Sequence, residues 1–197
     1  MDLYIVNDNC ESVTEQNGYL VIKSPWPGMT RGLLNDDQRY IETYWSKFEN
    51  IWFHGDYVLK DGDNLWYMQG RTDDVINVSG HRMSTAEIEH TVISHKKISD
   101  AASIAVPDDI TGEAIVVFFV PENKDDANLE NEIMEYISKK IGKIAKPRLI
   151  IQLSDLPKTR TGKIMRRLLK SKVLGNPLGD LSSLENPQIL NEIQKIN

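Results

Sequence analysis

Length, composition and charge exclude several classes of protein. The chain has 197 residues, of which 40% are hydrophobic and 26% charged, as expected for one globular domain, or for one small domain with part of another. The longest apolar run, AIVVFFV, is far shorter than the ~20 residues that span a bilayer. The single cysteine, Cys10, and an N-terminus without a signal-peptide pattern favour a cytoplasmic protein without disulfides or membrane contact. The net charge of −6 argues against general nucleic-acid affinity.

The first part of the chain, up to Gly70, is expected to be rich in short strands. The segment GYLVI is typical of a strand, and residues 51–70 are typical of two strands about a turn at Asp61-Gly62. A helix is predicted over residues 36–48. All four tryptophans fall in this part of the chain, which lacks the regular alternation of a complete domain.

The pattern changes after Gly70 to alternating helices and strands. Ser84 and Glu87 have the spacing of a capping box and open a predicted helix. The predicted elements, in chain order, are a helix at 84–95, strands at 101–106 and 114–120, a helix at 129–141, a strand at 148–153 and a helix at 162–174. Gly175 is the expected stop. This order predicts a compact α+β domain of roughly 100 residues, with helices on a small sheet and a polar, extended tail.

The segment PKTRTGKIMRR, residues 157–167, carries five basic side chains and no acidic one. Three interpretations compete: a nucleotide phosphate loop, a nucleic-acid patch, or one catalytic lysine on a loop. A Walker A loop begins with glycine and has Ser or Thr after its lysine, whereas this chain has Pro157 and Ile164 there. No aromatic residue for base stacking is interleaved with the basic ones. The basic residues of the following helix fit a solvated helix face as well as a functional one.

Lys163 differs from its basic neighbours in its local context. It follows a Thr-Gly pair, precedes an apolar turn that anchors the segment, and lies beside other cations. A lysine presented in this way can enter a cleft and neutralise charge that develops on phosphate and carboxylate oxygens.

The segment GRTDDVINVSGHRM holds two arginines that suit contact with a nucleotide. Arg71 and Arg82 each carry a guanidinium that can donate two parallel hydrogen bonds to phosphate. Arg71 can equally pair with Asp73 or Asp74 as a surface ion pair of little consequence, and the residues alone favour that simpler interpretation.

Asp56 and the histidines give weaker signals. Asp56, in FHGD, could hold ribose hydroxyls, although a Gly-Asp pair is usually only a turn. The four histidines show no strong metal-ligand spacing, and His90 and His95 would diverge on a helix.

Five segments considered together resemble one family. They are WPGM, TYWSKFENIWFHGD, GRTDDVINVSGHRMSTAEIE, LPKTRTGKIMRR and LGDLSSLENP. They extend over nearly the whole chain and resemble the C-terminal end of AMP-forming acetyl-CoA synthetases, members of the adenylate-forming superfamily. The joint occurrence of GRTDDVINVSGHR and PKTRTGK is highly specific, and WPG with SSLENP narrows the resemblance towards acetyl- and propionyl-CoA synthetases.

The resemblance implies a fold and a two-step ligase reaction. Residues 1–72 would be the β-rich tail of a large N-terminal domain, ending at a hinge, residues 73–182 a mobile α+β C-terminal domain, and residues 183–197 a tail. In the first step a short carboxylate attacks the α-phosphate of ATP, with Mg²⁺ present, and pyrophosphate leaves. In the second step the thiol of CoA attacks the acyl-adenylate and AMP leaves.

The resemblance also implies roles for individual residues. Lys163 corresponds to the adenylation lysine, which in the family is also a reversible acylation target, and Asp73 to the hinge. The implied ligand contacts are Asp56, Arg71 and Arg82 for ATP or AMP, Ser79 and Gly80 for CoA, and Ile93, His95 and Ile98 for a metal ion.

Two departures from the family pattern bear on function. The arginine that holds the CoA phosphate is replaced by Ser138, so Lys139 or Lys140 would have to substitute as a point charge. The second departure is that the chain has neither the Gly/Ser/Thr-rich phosphate loop nor the acyl pocket, which in the family belong to a large N-terminal domain. That domain is the expected partner, and acetate or propionate is the expected acid. The alternatives are an inactive remnant, or a module that binds an acidic partner through its basic helix; no nucleic-acid partner is expected.

Overall fold

The computed structural model describes residues 1–123 and 129–195, and the chain divides into two compact units. The N-terminal unit is Met1–Asp73, and the C-terminal unit is Asp74–Asn197. The division falls next to Asp73, for which the resemblance implies a hinge. The hinge motion itself stays a prediction.

An antiparallel sheet of four strands in chain order makes up most of the regular secondary structure of the N-terminal unit. The strands are β1 (Leu3–Val6), β2 (Asn17–Ile22), β3 (Trp52–Lys60) and β4 (Trp66–Arg71). The strand at GYLVI and the strand pair about Asp61 are confirmed. Asp61 Oδ1 accepts hydrogen bonds from Asp63 N and Leu65 N at 3.0 and 2.9 Å. These bonds hold the pKa of Asp61 below its ordinary value and close the turn in the manner typical of Asp.

Helix α1 (Asp37–Tyr44) connects β2 to β3. Its N-cap is Asp36, whose side chain accepts a hydrogen bond from Arg39 N at 3.2 Å. The helix ends at Tyr44, earlier than predicted, and Tyr44 then stacks on Trp52 with ring centroids 4.2 Å apart. Trp26 and Trp45 meet Trp52 edge-on. This aromatic cluster accounts for the concentration of tryptophan in the unit.

A five-stranded sheet forms the centre of the C-terminal unit. Its strands are β5 (Val75–Val78), β6 (His81–Ser84), β7 (Ile98–Asp108), β8 (Gly112–Pro121) and β9 (Leu149–Gln152). The order is β6-β5-β8-β7, with β9 pairing in parallel to β8. The three predicted strands are confirmed, and the β5–β6 hairpin lies in a segment for which no strand was predicted.

Three helices pack on this sheet, as the α+β prediction requires. They are α2 (Thr85–Ile93), α3 (Leu129–Lys140) and α4 (Arg166–Leu174). Short 3₁₀ helices occupy Lys143–Ala145 and Pro187–Asn191. Ser84 caps α2 by accepting a hydrogen bond from Ala86 N, and Gly175 ends α4 in the left-handed conformation.

The central strand β8 is apolar on both faces because each face has its own core. Ile115, Val117 and Phe119 belong to a cluster that includes the buried residues of α2 and α3. Val116 and Phe118 belong to a second cluster with the buried residues of α4. Successive residues of a strand point to opposite faces, and a strand covered on both faces has a continuous apolar sequence.

The C-terminal tail is less polar than predicted. Leu184, Ile189, Leu190 and Ile193 are buried in the second cluster, against the same face of the sheet as α4. The tail is therefore part of the core of the C-terminal unit.

Helices long and apolar enough to cross a membrane are absent from residues 1–123 and 129–195.

Candidate active site

Lys163 lies at the end of a tight turn. Thr159 N donates to Lys163 O at 2.8 Å, Gly162 N donates to Thr159 O at 2.8 Å, and Lys163 N donates to Thr159 Oγ1 at 3.1 Å. Lys158 pairs with Ile164 as an isolated antiparallel bridge, so the turn has the form of a very short hairpin. The Lys163 ammonium is exposed and has no hydrogen-bond or ion-pair partner among the described residues. The backbone of this lysine is therefore fixed while its side chain is available.

The base of the turn is held by a charged cluster. Lys158 Nζ lies 2.7 Å from Asp100 Oδ2 and 3.1 Å from Asp155 Oδ1. Partial burial alone would lower the pKa of Lys158, but the bonds to the two carboxylates outweigh it and raise this pKa above its ordinary value. Partial burial likewise opposes ionisation of Asp155, yet hydrogen bonds from Leu156 N and Lys158 hold the pKa of Asp155 below its ordinary value. Lys158 and Asp155 are thus both charged at neutral pH.

Arg166, the first residue of α4, forms a bidentate pair with the buried Glu89 of α2. Arg166 Nε and Nη2 donate to the two Glu89 oxygens at 2.9 and 2.6 Å. Glu89 also accepts from Ser103 N at 2.7 Å. Burial alone would lower the pKa of Arg166, but Glu89 outweighs it and raises this pKa. The pair fixes the start of α4, which directly follows the Lys163 turn.

Arg166 is therefore not on a solvated helix face, which corrects one of the open interpretations of the basic segment. Glu89 was not singled out from the sequence. The available signal was its spacing, because Glu89 lies next to Ile88 and three residues before Val92, on the face of α2 predicted to be buried. An acid on that face needs a partner.

Other basic side chains of the segment also have partners within the unit. Arg167 donates to the backbone oxygens of Leu178 and Asp180, and Arg160 lies 3.8 Å from Glu185. Together with Lys158 and Arg166, these contacts commit much of the positive charge to intramolecular bonds. The geometry therefore does not favour a nucleic-acid patch.

Ser79 and Gly80 form the two-residue turn of the β5–β6 hairpin. Their φ angles are +50° and +83°, as a type I′ turn requires, and a glycine adopts such an angle without strain. Ser79 N donates to Thr111 O at 2.9 Å, which ties the turn to the β7–β8 connection. Arg82 lies opposite Asn77 in the same hairpin, with its side chain exposed. The hairpin thus brings three of the predicted ligand contacts into one exposed element.

Asp56 and Arg71 are brought together in the N-terminal unit as cross-strand partners on β3 and β4. Arg71 Nη1 lies 3.4 Å from Asp56 Oδ1 and donates to His54 O at 3.2 Å. Arg71 Nε also donates to Asp73 Oδ1 at 3.3 Å, so the local pair foreseen from the sequence is present.

Gly55 makes room for this arrangement. A Cβ at Gly55 would lie 2.5 Å from Arg71 Nη2, and the Gly55 φ is +87°. The sequence indicates only a turn at this glycine, whereas Gly55 lies within β3. Its close approach to a guanidinium on the neighbouring strand β4 carries no sequence signal.

Lys139 lines an open depression of about 740 Å³ on the surface of α3 and the adjoining segment. Its lining residues are Asn131, Met134, Glu135, Ser138, Lys139, Lys143 and Lys146. Lys140 points elsewhere, since its Nζ lies 5.7 Å from the centroid of the Tyr136 ring. The depression thus joins Lys139 and Ser138 to two lysines that the sequence analysis did not single out.

His95 is the side-chain member of the predicted metal site. Its Nε2 lies 3.3 Å from Glu132 Oε1, and its Nδ1 is buried without a hydrogen-bond partner among the described residues. That unpaired nitrogen fits a ligand to a metal ion. Within residues 1–123 and 129–195, however, no group of three or more His, Cys, Asp or Glu side chains could hold a metal. Any site would depend on backbone oxygens such as those of Ile93 and Ile98.

Residues 87–163 match the model of the AMP-binding enzyme C-terminal domain. The chain carries this domain. It is 46% identical over 180 residues to acetyl-coenzyme A synthetase of Pyrobaculum arsenaticum, a match that includes 90% of the chain and 27% of that relative. It is 42% identical over 194 residues to acetyl-coenzyme A synthetase of Streptomyces avermitilis, including 96% of the chain and 30% of the relative. The chain thus spans less than a third of the length of these relatives.

Solved structures bear out the adenylate-forming fold. Acetoacetyl-CoA synthetase from Streptomyces lividans superposes on 96% of the chain with a TM-score of 0.83 at 24% identity, and the match includes 29% of that protein. An amide bond synthetase from Marinactinospora thermotolerans superposes on 86% of the chain with a TM-score of 0.73 at 21% identity, including 33% of that protein. The predicted family and fold class are confirmed.

Proposed function

We propose that this chain supplies the C-terminal part of an AMP-forming acetate–CoA ligase, which acts together with a large N-terminal adenylation domain. The observation that carries the proposal is Lys163, an exposed ammonium on a turn closed by hydrogen bonds from the amides of Thr159, Gly162 and Lys163. The similarity of most of the chain to acetyl-coenzyme A synthetases supports the assignment.

The role of Lys163 follows from the charges in the first step. A carboxylate oxygen forms a bond to the α-phosphorus of ATP while the bond from that phosphorus to the bridging oxygen breaks, and pyrophosphate leaves with the electron pair. Negative charge approaches negative charge in this step, and an ammonium held beside the reacting oxygens offsets the repulsion. A fixed backbone reduces the entropy lost in placing it there.

Asp56, Arg71 and Arg82 are assigned to the nucleotide. Asp56 would accept hydrogen bonds from ribose hydroxyls, and Arg71, whose Nη1 lies 3.4 Å from Asp56 Oδ1, would donate to phosphate. Arg82 is assigned to the nucleotide from its exposed position on the hairpin. Asp73 is assigned to the hinge. The C-terminal unit would turn about this residue between the two steps and so present a different face to the substrates in each.

CoA is assigned to the hairpin turn and to the α3 depression. Ser79 and Gly80 would line the path of the pantetheine chain of CoA, because the absence of a side chain at Gly80 lets a ligand approach the backbone of the turn closely. Lys139, with Lys143 and Lys146, would hold a CoA phosphate beside Ser138. Lys140, which faces the Tyr136 ring, is the weaker of the two predicted lysines.

Mg²⁺ would enter the first step with the phosphates of ATP. A second metal position would be held by His95 Nδ1 with the backbone oxygens of Ile93 and Ile98, and would brace the α2–β7 connection. The acid would be acetate or propionate, as the resemblance implies, and the acyl pocket that would select between them belongs to the N-terminal domain.

The test is complementation. The chain is mixed with the N-terminal part of a homologous acetyl-CoA synthetase, and acetate-dependent exchange between ATP and pyrophosphate is followed. Activity is expected for the wild-type pair, and Lys163→Ala is expected to lower it about a hundredfold or more, as for loss of one group that stabilises transition-state charge. Lys172→Ala, in the helix α4 that follows the turn, is the matched control and should retain activity. Equal activity of the two variants would contradict the role of Lys163.

A further inference from the structure

We propose that Asn186 is a positioning residue for Lys163, through which the C-terminal segment 183–195 fixes the turn that carries the lysine. The inference rests on the proposed function for its catalytic consequence. It rests on the contacts of the C-terminal unit for its geometry.

The Lys163 turn pairs with the tail at its base. Thr159 and Leu184 form an isolated antiparallel bridge, and Glu185 N donates to Lys158 O at 2.9 Å. The turn is closed by its own hydrogen bonds, but it is attached to the rest of the unit on this side by the tail. A displacement of the tail would therefore displace the turn.

Both the oxygen and the nitrogen of the Asn186 side-chain amide form hydrogen bonds where the tail meets the turn. Its Oδ1 accepts from Lys158 N at 3.1 Å, and its Nδ2 donates to Asp155 Oδ2 at 2.9 Å and to Leu156 O at 2.8 Å. Only an amide both accepts and donates twice in this way. Asn186 thereby joins the backbone that leads into the turn, the acid that binds Lys158, and the tail itself.

The tail is held in place on the C-terminal unit by buried side chains and by hydrogen bonds. Leu184 and Ile189, on either side of Asn186, are buried in the core shared with α4. Further along, Glu192 accepts from both the backbone N and the Oγ of Ser154 at 2.9 and 2.6 Å. Because the tail is held by the packed core, the hydrogen bonds of Asn186 fix the exposed turn relative to that core.

The variant that tests this is Asn186→Asp. It keeps the oxygen that accepts from Lys158 N but places a second carboxylate against Asp155, where repulsion replaces a hydrogen bond. Hydrogen exchange of amides 158–165 in the full 197-residue chain is expected to accelerate about tenfold, because both hydrogen bonds donated by Asn186 Nδ2 are lost. In the complemented enzyme, kcat for adenylation is expected to fall roughly tenfold with the KM for acetate unchanged, because the lysine and not the substrate is misplaced.

A charge-swapped pair separates positioning from mere destabilisation. Asp155→Asn combined with Asn186→Asp restores an amide facing a carboxylate, and it should return both exchange and kcat most of the way to the wild-type values. Asn186→Ala, which removes the bonds without repulsion, should give the same changes at smaller size. Asn191→Asp, an exposed position on the same tail, is the matched control and should change neither quantity.

Each other outcome has a definite meaning. Accelerated exchange with unchanged kcat, or a fall in kcat that the swapped pair does not reverse, would overturn the inference. Unchanged exchange in both Asn186→Asp and Asn186→Ala would overturn it as well. An inactive wild-type pair would instead contradict the proposed function, while the exchange measurements would still decide whether Asn186 holds the turn.

Discussion

The two units differ in how completely their apolar side chains are covered. In the C-terminal unit both faces of the sheet carry helices or tail, and two separate clusters of buried residues result. In the N-terminal unit α1 has no buried residue, and neighbouring apolar side chains at the start of β4 are exposed, with Leu65 at 57% and Met68 at 58%. Since burial of apolar surface is the main favourable contribution to folding, the C-terminal unit is expected to be the more stable of the two.

The same difference applies to function. The predicted nucleotide contacts of the N-terminal unit lie on a sheet with little core behind it, whereas Lys163 is attached to a packed unit through the tail and α4. The packed core of the C-terminal unit is therefore expected to hold the backbone of Lys163 in one position. The following predictions test the contrast.

The largest expected effect is separate unfolding of the two units in urea. All four tryptophans lie in the N-terminal unit, so tryptophan fluorescence reports on that unit, while far-ultraviolet circular dichroism is dominated by α2, α3 and α4. The fluorescence transition is expected at a clearly lower urea concentration. Coincident transitions would indicate one cooperative unit and would remove the contrast.

The buried ion pair gives the next largest effect. Glu89→Gln removes the carboxylate of the bidentate pair and leaves Arg166 only the more distant Asp74, at 3.8 Å. We expect a loss of roughly 3 kcal/mol in the unfolding free energy of the C-terminal unit. Lys97→Gln, which breaks the exposed pair of Lys97 with Glu132, is the control and should change it by less than about 1 kcal/mol. Circular dichroism in urea measures both variants. A similar small change in both would show that the Glu89 pair is not a determinant of stability.

A smaller effect is expected at Gly55 in the N-terminal unit. Gly55→Ala introduces a Cβ against the Arg71 guanidinium at a positive φ, and we expect destabilisation of about 1–2 kcal/mol, read from the fluorescence transition. Gly28→Ala, where the nearest atom to a new Cβ is 3.6 Å away, should have little effect. An unchanged fluorescence midpoint for Gly55→Ala would mean that Arg71 moves aside without loss.

The smallest effect is the pH dependence of the junction beneath the Lys163 turn. The pKa of Asp155 is lowered on folding, so its contribution is present above the ordinary value of 3.8 and is lost as the pH falls through the folded value. The pKa of Lys158 is raised, so its contribution is present below 10.5 and lost above it. The stability difference between wild type and Asp155→Asn should therefore be constant from about pH 5 to 9, stay under about 1 kcal/mol because Asp155 is half exposed, and shrink below pH 3.8. A difference that changes between pH 5 and 9 would contradict this assignment.

Much of the C-terminal unit could be predicted from the sequence because its signals are local. The helix that begins after Ser84, the run AIVVFFV in β8 and the stop at Gly175 each carry a signal within a few residues. The β5–β6 hairpin was missed because its strands are short and its turn is Ser-Gly, which is weaker as a hairpin signal than Asn-Gly.

The parts of the site that were missed depend on contacts between distant residues. Glu89 and Arg166 are far apart in sequence, and Asn186 meets Lys158 only because the tail packs on the sheet. The apolar residues of the tail were visible in the sequence, but polar neighbours around them suggested an extended wrap. Lys163 was predicted from its motif, because the residues of the loop that carries it are contiguous in the sequence, and its catalytic role stays a prediction.

The position of Glu89 has a consequence for association between chains. β7 is the outermost strand on its side of the sheet, and an exposed outer strand can add a strand from another molecule. The Ser103 amide on β7 donates to Glu89, and the Arg166 side chain lies against the same carboxylate. At Ser103 the place that a foreign backbone oxygen would take is therefore occupied by a carboxylate. We expect the ion pair at the start of α4 to oppose the addition of a further strand at this point of the edge.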